Sequence, residues 1–193
     1  MLVLASASPR RQELLRNAGI GFVVQPANVP EDVLPGEVPH TYAQRLAHAK
    51  AQAVFDHHPQ DQVLGADTIV VVDGSIFGKP LDASDAARML RLLSGRQHSV
   101  ITGVCLLTPI SGEQPRTDVR RETTRVTMNP LTDEEIEDYV AHGEPMDKAG
   151  AYAIQGLASR WIPKIDGCYF NVVGLPVPLV YAMWRDAASL QRS

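Results

Sequence analysis

An α/β fold with a mixed sheet is what this sequence predicts. Three observations carry the expectation. Strand-like and helix-like segments alternate along the chain, as they do where helices cover a largely parallel sheet. Helix ends carry recognisable caps and stops, and Asp73-Gly74 between two apolar runs reads as a tight hairpin turn.

Residues 2–5 form a short apolar strand, followed by a loop of small residues and a helix over residues 9–18. Ser8 suits the N-cap of that helix, Pro9 its first position and Gly19 its stop. A Pro-rich stretch over 29–39 precedes a second helix, which Thr41 can cap and whose apolar face holds Leu46, Ala49, Ala53 and Val54. Residues 63–72 read as a strand turning through Asp73-Gly74 into Ile76-Phe77. A helix over 84–93 leads to two strands, 99–107 and 117–128, the second with period-two alternation. Thr132 and Glu135 have capping-box spacing and open a helix ending near His142. Residues 161–165 and 169–173 around Asp166-Gly167 read as a second hairpin, and a helix over 178–188 closes the pattern.

The chain has 193 residues, 45% of them hydrophobic and 21% charged, which suits one domain over 1–193 or two tightly packed lobes. A net charge of −4 argues against a nucleic-acid partner, because such binders carry a basic excess. No apolar run approaches the about 20 residues that cross a bilayer, and Met1 to Ala5 is too short for a signal-peptide core. The two cysteines, Cys105 and Cys168, sit in apolar surroundings and read as reduced core residues, so the cytoplasm is the expected compartment.

Two constellations point to chemistry. In Ser6-Ala7-Ser8-Pro9-Arg10-Arg11 a strand runs through small residues into a helix start. Such a helix N-terminus offers N–H groups to an anion. Arg10 and Arg11 in the first turn oppose the helix dipole, a cost of about 0.3–1 kcal/mol each that a bound anion offsets. A plain capped helix with two solvated arginines explains the same residues, and the segment alone does not separate the two. The second constellation centres on Asp67, which interrupts the apolar run 63–72. A carboxylate in a strand must be paired, bound to metal or turned to a cleft, which makes it a candidate base or metal ligand. Lys50 lies within the apolar arc of its helix, where it either snorkels to the surface or points into a cleft. Lys79 follows the hairpin and can return towards Asp67. Glu31-Asp32, in the Pro-rich loop, reads by itself as solvated acids. The six histidines are scattered and show no zinc spacing, and neither a GxxxxGK[ST] nor a GxGxxG loop occurs.

Taken together, an ordered set of segments closely resembles the Maf family of nucleotide pyrophosphatases. The set is Ala5 to Arg11 with Glu13-Leu14-Leu15, Ala47 to Ala51, Gly65-Ala66-Asp67-Thr68, Gly78-Lys79-Pro80, Leu93-Ser94-Gly95, Asp147 to Tyr152 with Ile154-Gln155-Gly156, Lys164 to Gly167 and Val173 to Pro176. The resemblance implies an elongated mixed sheet with flanking helices, in two lobes around a central cleft. It implies hydrolysis of nucleoside triphosphates at the α–β anhydride with a divalent cation, Mg²⁺ or Mn²⁺. By position, Asp67 is the general base and Glu31 shares the metal with it. Ser6, Ser8, Arg11, Lys50 and Lys79 hold phosphates. Arg10, Thr68 and Gln155 match the residues that separate the pyrimidine subfamily, acting on dTTP and UTP, from relatives acting on 7-methyl-GTP. Those relatives carry an aromatic residue, Gln and Glu at the three positions. One departure is Pro30, which stands where the family loop has a further acid, so Asp32 can shift into the role of Glu31. Implied partners are a small nucleotide, with neither nucleic acid nor membrane, and a homodimer is left open. A nucleotide-binding division regulator without turnover and a phosphatase releasing single phosphates are the competing classes.

Overall fold

The structure is a computed structural model and describes residues 1–190. In chain order the elements are β1 (Leu2–Leu4), α1 (Pro9–Asn17), β2 (Val23–Val24), α2 (Pro39–Phe55), β3 (Gln62–Val72), β4 (Ser75–Phe77) and α3 (Ala83–Leu93). They continue with β5 (Gln97–Thr108), β6 (Arg116–Thr127), α4 (Asp133–Ala141), β7 (Lys164–Asp166), α5 (Tyr169–Val173) and α6 (Val177–Leu190), with three 3₁₀ turns between α4 and β7. Seven strands form one sheet in the order β2-β1-β3-β5-β6-β7, with β4 paired to β3. It is mixed: β1 runs parallel to β2 and β3, whereas β3–β4 and β6–β7 are antiparallel. The predicted α/β class with a mixed, helix-flanked sheet is therefore the observed one. Two compact units divide the chain.

The first unit contains Met1–Asp67, Thr102–Glu122 and the described residues from Gly174 on. Within it β1 lies between β2 and β3. The chain leaves β1 through α1 to one neighbour and reaches the other through α2. Connections to neighbours on both sides make β1 a topological switch point, and ligands favour the carboxyl ends of strands there. Ser6, Ala7 and Ser8 occupy that end.

Helix α2 approaches the sheet more closely than side chains would allow. A Cβ at Gly65 of β3 would lie 2.2 Å from the Ala47 carbonyl oxygen and 2.7 Å from the Ala51 nitrogen. At Gly103 of β5 it would lie 2.2 Å from the Ala43 carbonyl oxygen. Ala47, Ala51, Val54 and Phe55 then bury against Val3, Ala5, Val63, Cys105 and Leu107. Strand side chains alternate faces, so Val63, Gly65 and Asp67 all face α2. The helix begins at Pro39, two residues before the expected cap Thr41, and Val38 at the N-cap makes no side-chain bond. Proline presets φ and has no N–H to satisfy, so it starts the helix without a polar cap.

The second unit comprises Thr68–Ile101 and Thr123–Val173. Its core includes Leu90, Leu93, Val126, Met128, Ile136, Tyr139 and Trp161. The capping box of Thr132 and Glu135 is formed, and Asp73 and Gly74 turn β3 into β4 with φ of 49° and 77°. Here the second expected hairpin is corrected. β7 pairs with β6 over three residues and then stops, and Tyr169–Val173 is helical. Thr124 Oγ1 bonds both the N–H and the C=O of Cys168, which ends the ladder. Asn171, fully buried, donates to Val100 O and Thr124 Oγ1, which a strand with outward alternation would not permit. The 3₁₀ turns Glu144–Asp147, Ala149–Ala151 and Leu157–Trp161 had no helix or strand periodicity to announce them.

Gly65→Ala should destabilise the protein by about 1–3 kcal/mol in denaturant unfolding, the scale of overpacking against backbone that cannot move aside. Gly21, with nothing within 4 Å of its would-be Cβ, is the control, and Gly21→Ala should stay within about 0.5 kcal/mol.

Candidate active site

The first unit gathers an ammonium, two carboxylates and a helix N-terminus. Lys50, one residue before the Gly65-contacting Ala51, extends along the face that Asp67 shares. Its Nζ lies 2.7 Å from Asp67 Oδ1 and 2.6 Å from Glu31 Oε1. Side-chain exposure is 12% for Lys50 and 10% for Asp67 but 57% for Glu31, so the acid on the strand is fixed and the acid on the loop faces solvent. The snorkelling alternative for Lys50 is thereby set aside. Of the two loop acids, Glu31 is the one whose carboxylate meets Lys50, while Asp32 uses its backbone oxygen on Arg45.

Ser6, Ser8 and Arg11 form the other side. Ser8 caps α1 by accepting from Arg11 N. Ser6 Oγ accepts from Ser8 N and from Arg11 Nη1, both at 3.2 Å, so what its hydroxyl can still offer a ligand is the O–H donor. Arg11 Nη1 also donates to Ala66 O at 2.9 Å and its Nε to Gly174 O at 2.8 Å. This arginine braces the β1–α1 loop against the residue preceding Asp67 and the segment leading to α6. Burial lowers the Arg11 pKa and the charge of Arg10 adds to this, while Asp67 and Glu31 oppose it. No acidic residue occupies the first turn of α1, which leaves the positive end of its dipole unopposed.

A clamp that the sequence did not announce holds the Glu31 loop. Arg45 on α2 grips Glu37 with two bonds, Nε to Oε1 at 2.6 Å and Nη2 to Oε2 at 2.7 Å. The same Nη2 donates to Asp32 O at 2.9 Å, and Glu37 Oε2 accepts from Leu34 N at 3.1 Å. Tyr42 Oη donates to Glu31 O at 2.7 Å, and burial, with Asp67 and Glu31 nearby, pushes its pKa up to about 12. Glu37, Tyr42 and Arg45 stand successively five and three residues apart, but Pro39 intervenes, so no helical spacing flags the first with the others. Tyr42 and Arg45 at i, i+3 on one helix face were the legible part of the signal.

Thr68, Lys79 and Gln155 belong to the second unit, Thr68 half-buried and the other two exposed. Arg10, at the second position of α1, is half-buried. Among the described residues, no cluster of three or more His, Cys, Asp or Glu is arranged to hold a metal. Glu31 and Asp67 nonetheless meet on one ammonium, so a single cation can bridge them. Two carboxylates completed by water and phosphate oxygens suit Mg²⁺ or Mn²⁺ and not zinc. Among the described residues, no helix is long and apolar enough to cross a membrane.

Residues 1–187 match the family described as Maf-like protein, and the chain belongs to that family. A relative from Koribacter versatilis called dTTP/UTP pyrophosphatase is 58% identical over 189 residues, covering 98% of this chain and 95% of its own. Proteins of the same name are similar too, from Syntrophomonas wolfei at 51% identity over 93% and 94% of the two chains, and from Geobacter metallireducens at 52% over 98% and 97%.

Removing the clamp should loosen the loop and not the fold. In Arg45→Ala the amides of Leu34 and Glu37 should exchange with solvent about tenfold faster or more, while Ala51 on α2 changes little. Equal protection in parent and variant would show that the loop is held by something else.

Proposed function

We propose that this protein hydrolyses dTTP and UTP between the α and β phosphates, giving the nucleoside monophosphate and pyrophosphate. The observation that carries the reading is the Lys50–Asp67–Glu31 cluster at the end of β1 where Ser6, Ser8 and Arg11 open α1. A strand-held carboxylate joined to an ammonium beside a helix N-terminus suits activation of water next to a polyanion. The relatives called dTTP/UTP pyrophosphatase, more than 50% identical over nearly the whole chain, support the substrate class.

In this reading Asp67 orients the attacking water and accepts its proton. The water oxygen bonds to the α phosphorus as the bond from that phosphorus to the bridging oxygen breaks, and pyrophosphate leaves with the electron pair. Glu31 and Asp67 would hold a divalent cation, which supplies charge neutralisation and alignment. Lys50, Ser6, Ser8 and the α1 N-terminus bind phosphate oxygens, Arg11 keeps them in register, and Lys79 adds a further cation. Gln155 reads the base, since its amide offers a donor and an acceptor to the imide edge of uracil or thymine. Thr68 and Arg10 complete the selectivity in the way the family resemblance implies. The cytoplasm is the compartment this reading carries.

Asp67→Asn should keep the protein folded and able to bind nucleotide while lowering turnover about a hundredfold or more. A variant at half the parental rate would remove Asp67 from the mechanism. EDTA should stop the reaction and Mg²⁺ or Mn²⁺ restore it, with pyrophosphate as the first product by ion chromatography. Orthophosphate appearing first would point to a phosphatase instead, and binding without turnover to a regulator.

Base choice is a separate expectation. The parent should have a higher kcat/KM for dTTP and UTP than for CTP, dGTP and 7-methyl-GTP. Gln155→Glu should lower the dTTP value, because an ionised carboxylate can only accept hydrogen bonds and leaves a base acceptor unpaired. Equal efficiency for dTTP and 7-methyl-GTP in the parent would defeat the pyrimidine preference.

A further inference from the structure

Tyr139 and Glu144 take no part in the chemistry above, yet they organise the turn that carries Gln155. Tyr139 on α4 is fully buried. Its hydroxyl donates to Glu144 Oε1 at 2.7 Å and accepts from Ala153 N at 3.1 Å. The other carboxylate oxygen, Glu144 Oε2, accepts from Leu157 N at 3.2 Å. The backbone is therefore bonded to this one pair of side chains two residues before and two residues after Gln155. Between them the turn closes on itself, Gly156 N donating to Ala153 O at 3.0 Å. A Cβ at Gly156 would lie 2.3 Å from both carboxylate oxygens of Glu144, so the turn packs flat on the acid and a side chain there would displace the carboxylate. Trp161, stacked edge-on against Tyr139 at 5.2 Å, anchors the far end. Within this held turn Gln155 itself is exposed.

We propose that Tyr139 and Glu144 are positioning residues for nucleotide selectivity. Together they fix the backbone that carries Gln155, so that its amide is presented in one position to the imide edge of a pyrimidine. The inference rests on the reading of Gln155 as the base-reading residue. An amide on a flexible side chain of three rotatable bonds discriminates poorly by itself, because it can draw back to admit a larger ring. Discrimination by hydrogen bonding needs a backbone that does not yield. The buried phenol and the carboxylate beneath Gly156 provide that backbone, and an exposed turn without a ligand to read needs neither.

The experiment measures kcat/KM for dTTP and for dGTP in the parent, Tyr139→Phe, Glu144→Gln, Gln155→Ala and the double variant Tyr139→Phe/Gln155→Ala, with thermal melting of each. The dTTP-to-dGTP ratio should fall about tenfold in Tyr139→Phe and in Glu144→Gln, the worth of a well-placed hydrogen bond. The change should lie in KM, with kcat for dTTP within about twofold of the parent. In the double variant the ratio should equal that of Gln155→Ala alone, because the pair acts through Gln155. A purely structural role would lower the melting temperature and leave the ratio unchanged, which overturns the proposal. Glu144→Gln, which keeps an acceptor and the side-chain volume, decides the matter if Tyr139→Phe does not fold. A ratio that falls in Gln155→Ala but not in Tyr139→Phe or Glu144→Gln refutes the positioning role alone. A ratio indifferent to Gln155→Ala removes the base-reading assignment and the proposal with it.

Discussion

The contact on which the first unit depends is a helix backbone lying directly on a strand. Gly65 and Gly103 have no side chains, and α2 occupies the space, with Ala43, Ala47 and Ala51 as its contacting residues. Small residues on both sides bring the axes together and leave little freedom to slide, because backbone atoms do not repack as side chains do. Asp67 follows Gly65 on the same face of β3, and Lys50 precedes Ala51 on α2. The short approach thus determines where the ammonium and the carboxylate meet. Their 2.7 Å separation is a consequence of packing as much as of charge.

Electrostatics then distributes the work. Lys50 is surrounded by two acids and stays half-buried because both are within reach, which offsets the cost of removing its charge from water. Exposure divides the acids, with Asp67 on rigid strand and Glu31 on loop. The loop is restrained by Arg45, Glu37 and Tyr42 and not by packing, since Val33 and Leu34 are exposed at 52% and 51%. Arg11 has the corresponding duty on the β1–α1 side. Its bonds to Ser6, Ala66 and Gly174 make it a brace before it is anything else. The second unit repeats the principle with the buried Tyr139 hydroxyl and the half-buried Glu144 carboxylate, which hold the backbone of the turn on both sides of Gln155.

Local signals in the sequence were sufficient for most of the elements. Ser8-Pro9 for α1, Thr132 with Glu135 for α4 and Asp73-Gly74 for the β3–β4 turn each act over a few residues, so each can be read without the fold. They fail where a distant partner overrides the local preference. Tyr169–Val173 has strand-like composition but is helical because Thr124 and Val100 take up Asn171 and Cys168. Thr41 is a good cap left unused because Pro39 starts the helix first.

By itself the sequence determined the α/β class, the strand carrying Asp67 and the small-residue loop opening α1. It also determined the family, because the order of motifs along the chain is a property of the chain and not of its folding. Tertiary structure alone decided which way Lys50 points, since from one position in the apolar arc a lysine can either snorkel to the surface or reach a carboxylate. It alone chose Glu31 over Asp32 to meet that lysine, and it alone disclosed the Arg45–Glu37 and Tyr139–Glu144 pairs. Each of these is a matter of two side chains, five to nineteen residues apart, reaching one point. Spacing fixes direction within an element to about 100° per residue, but across a loop it fixes nothing. Only the packed backbone supplies the missing coordinates.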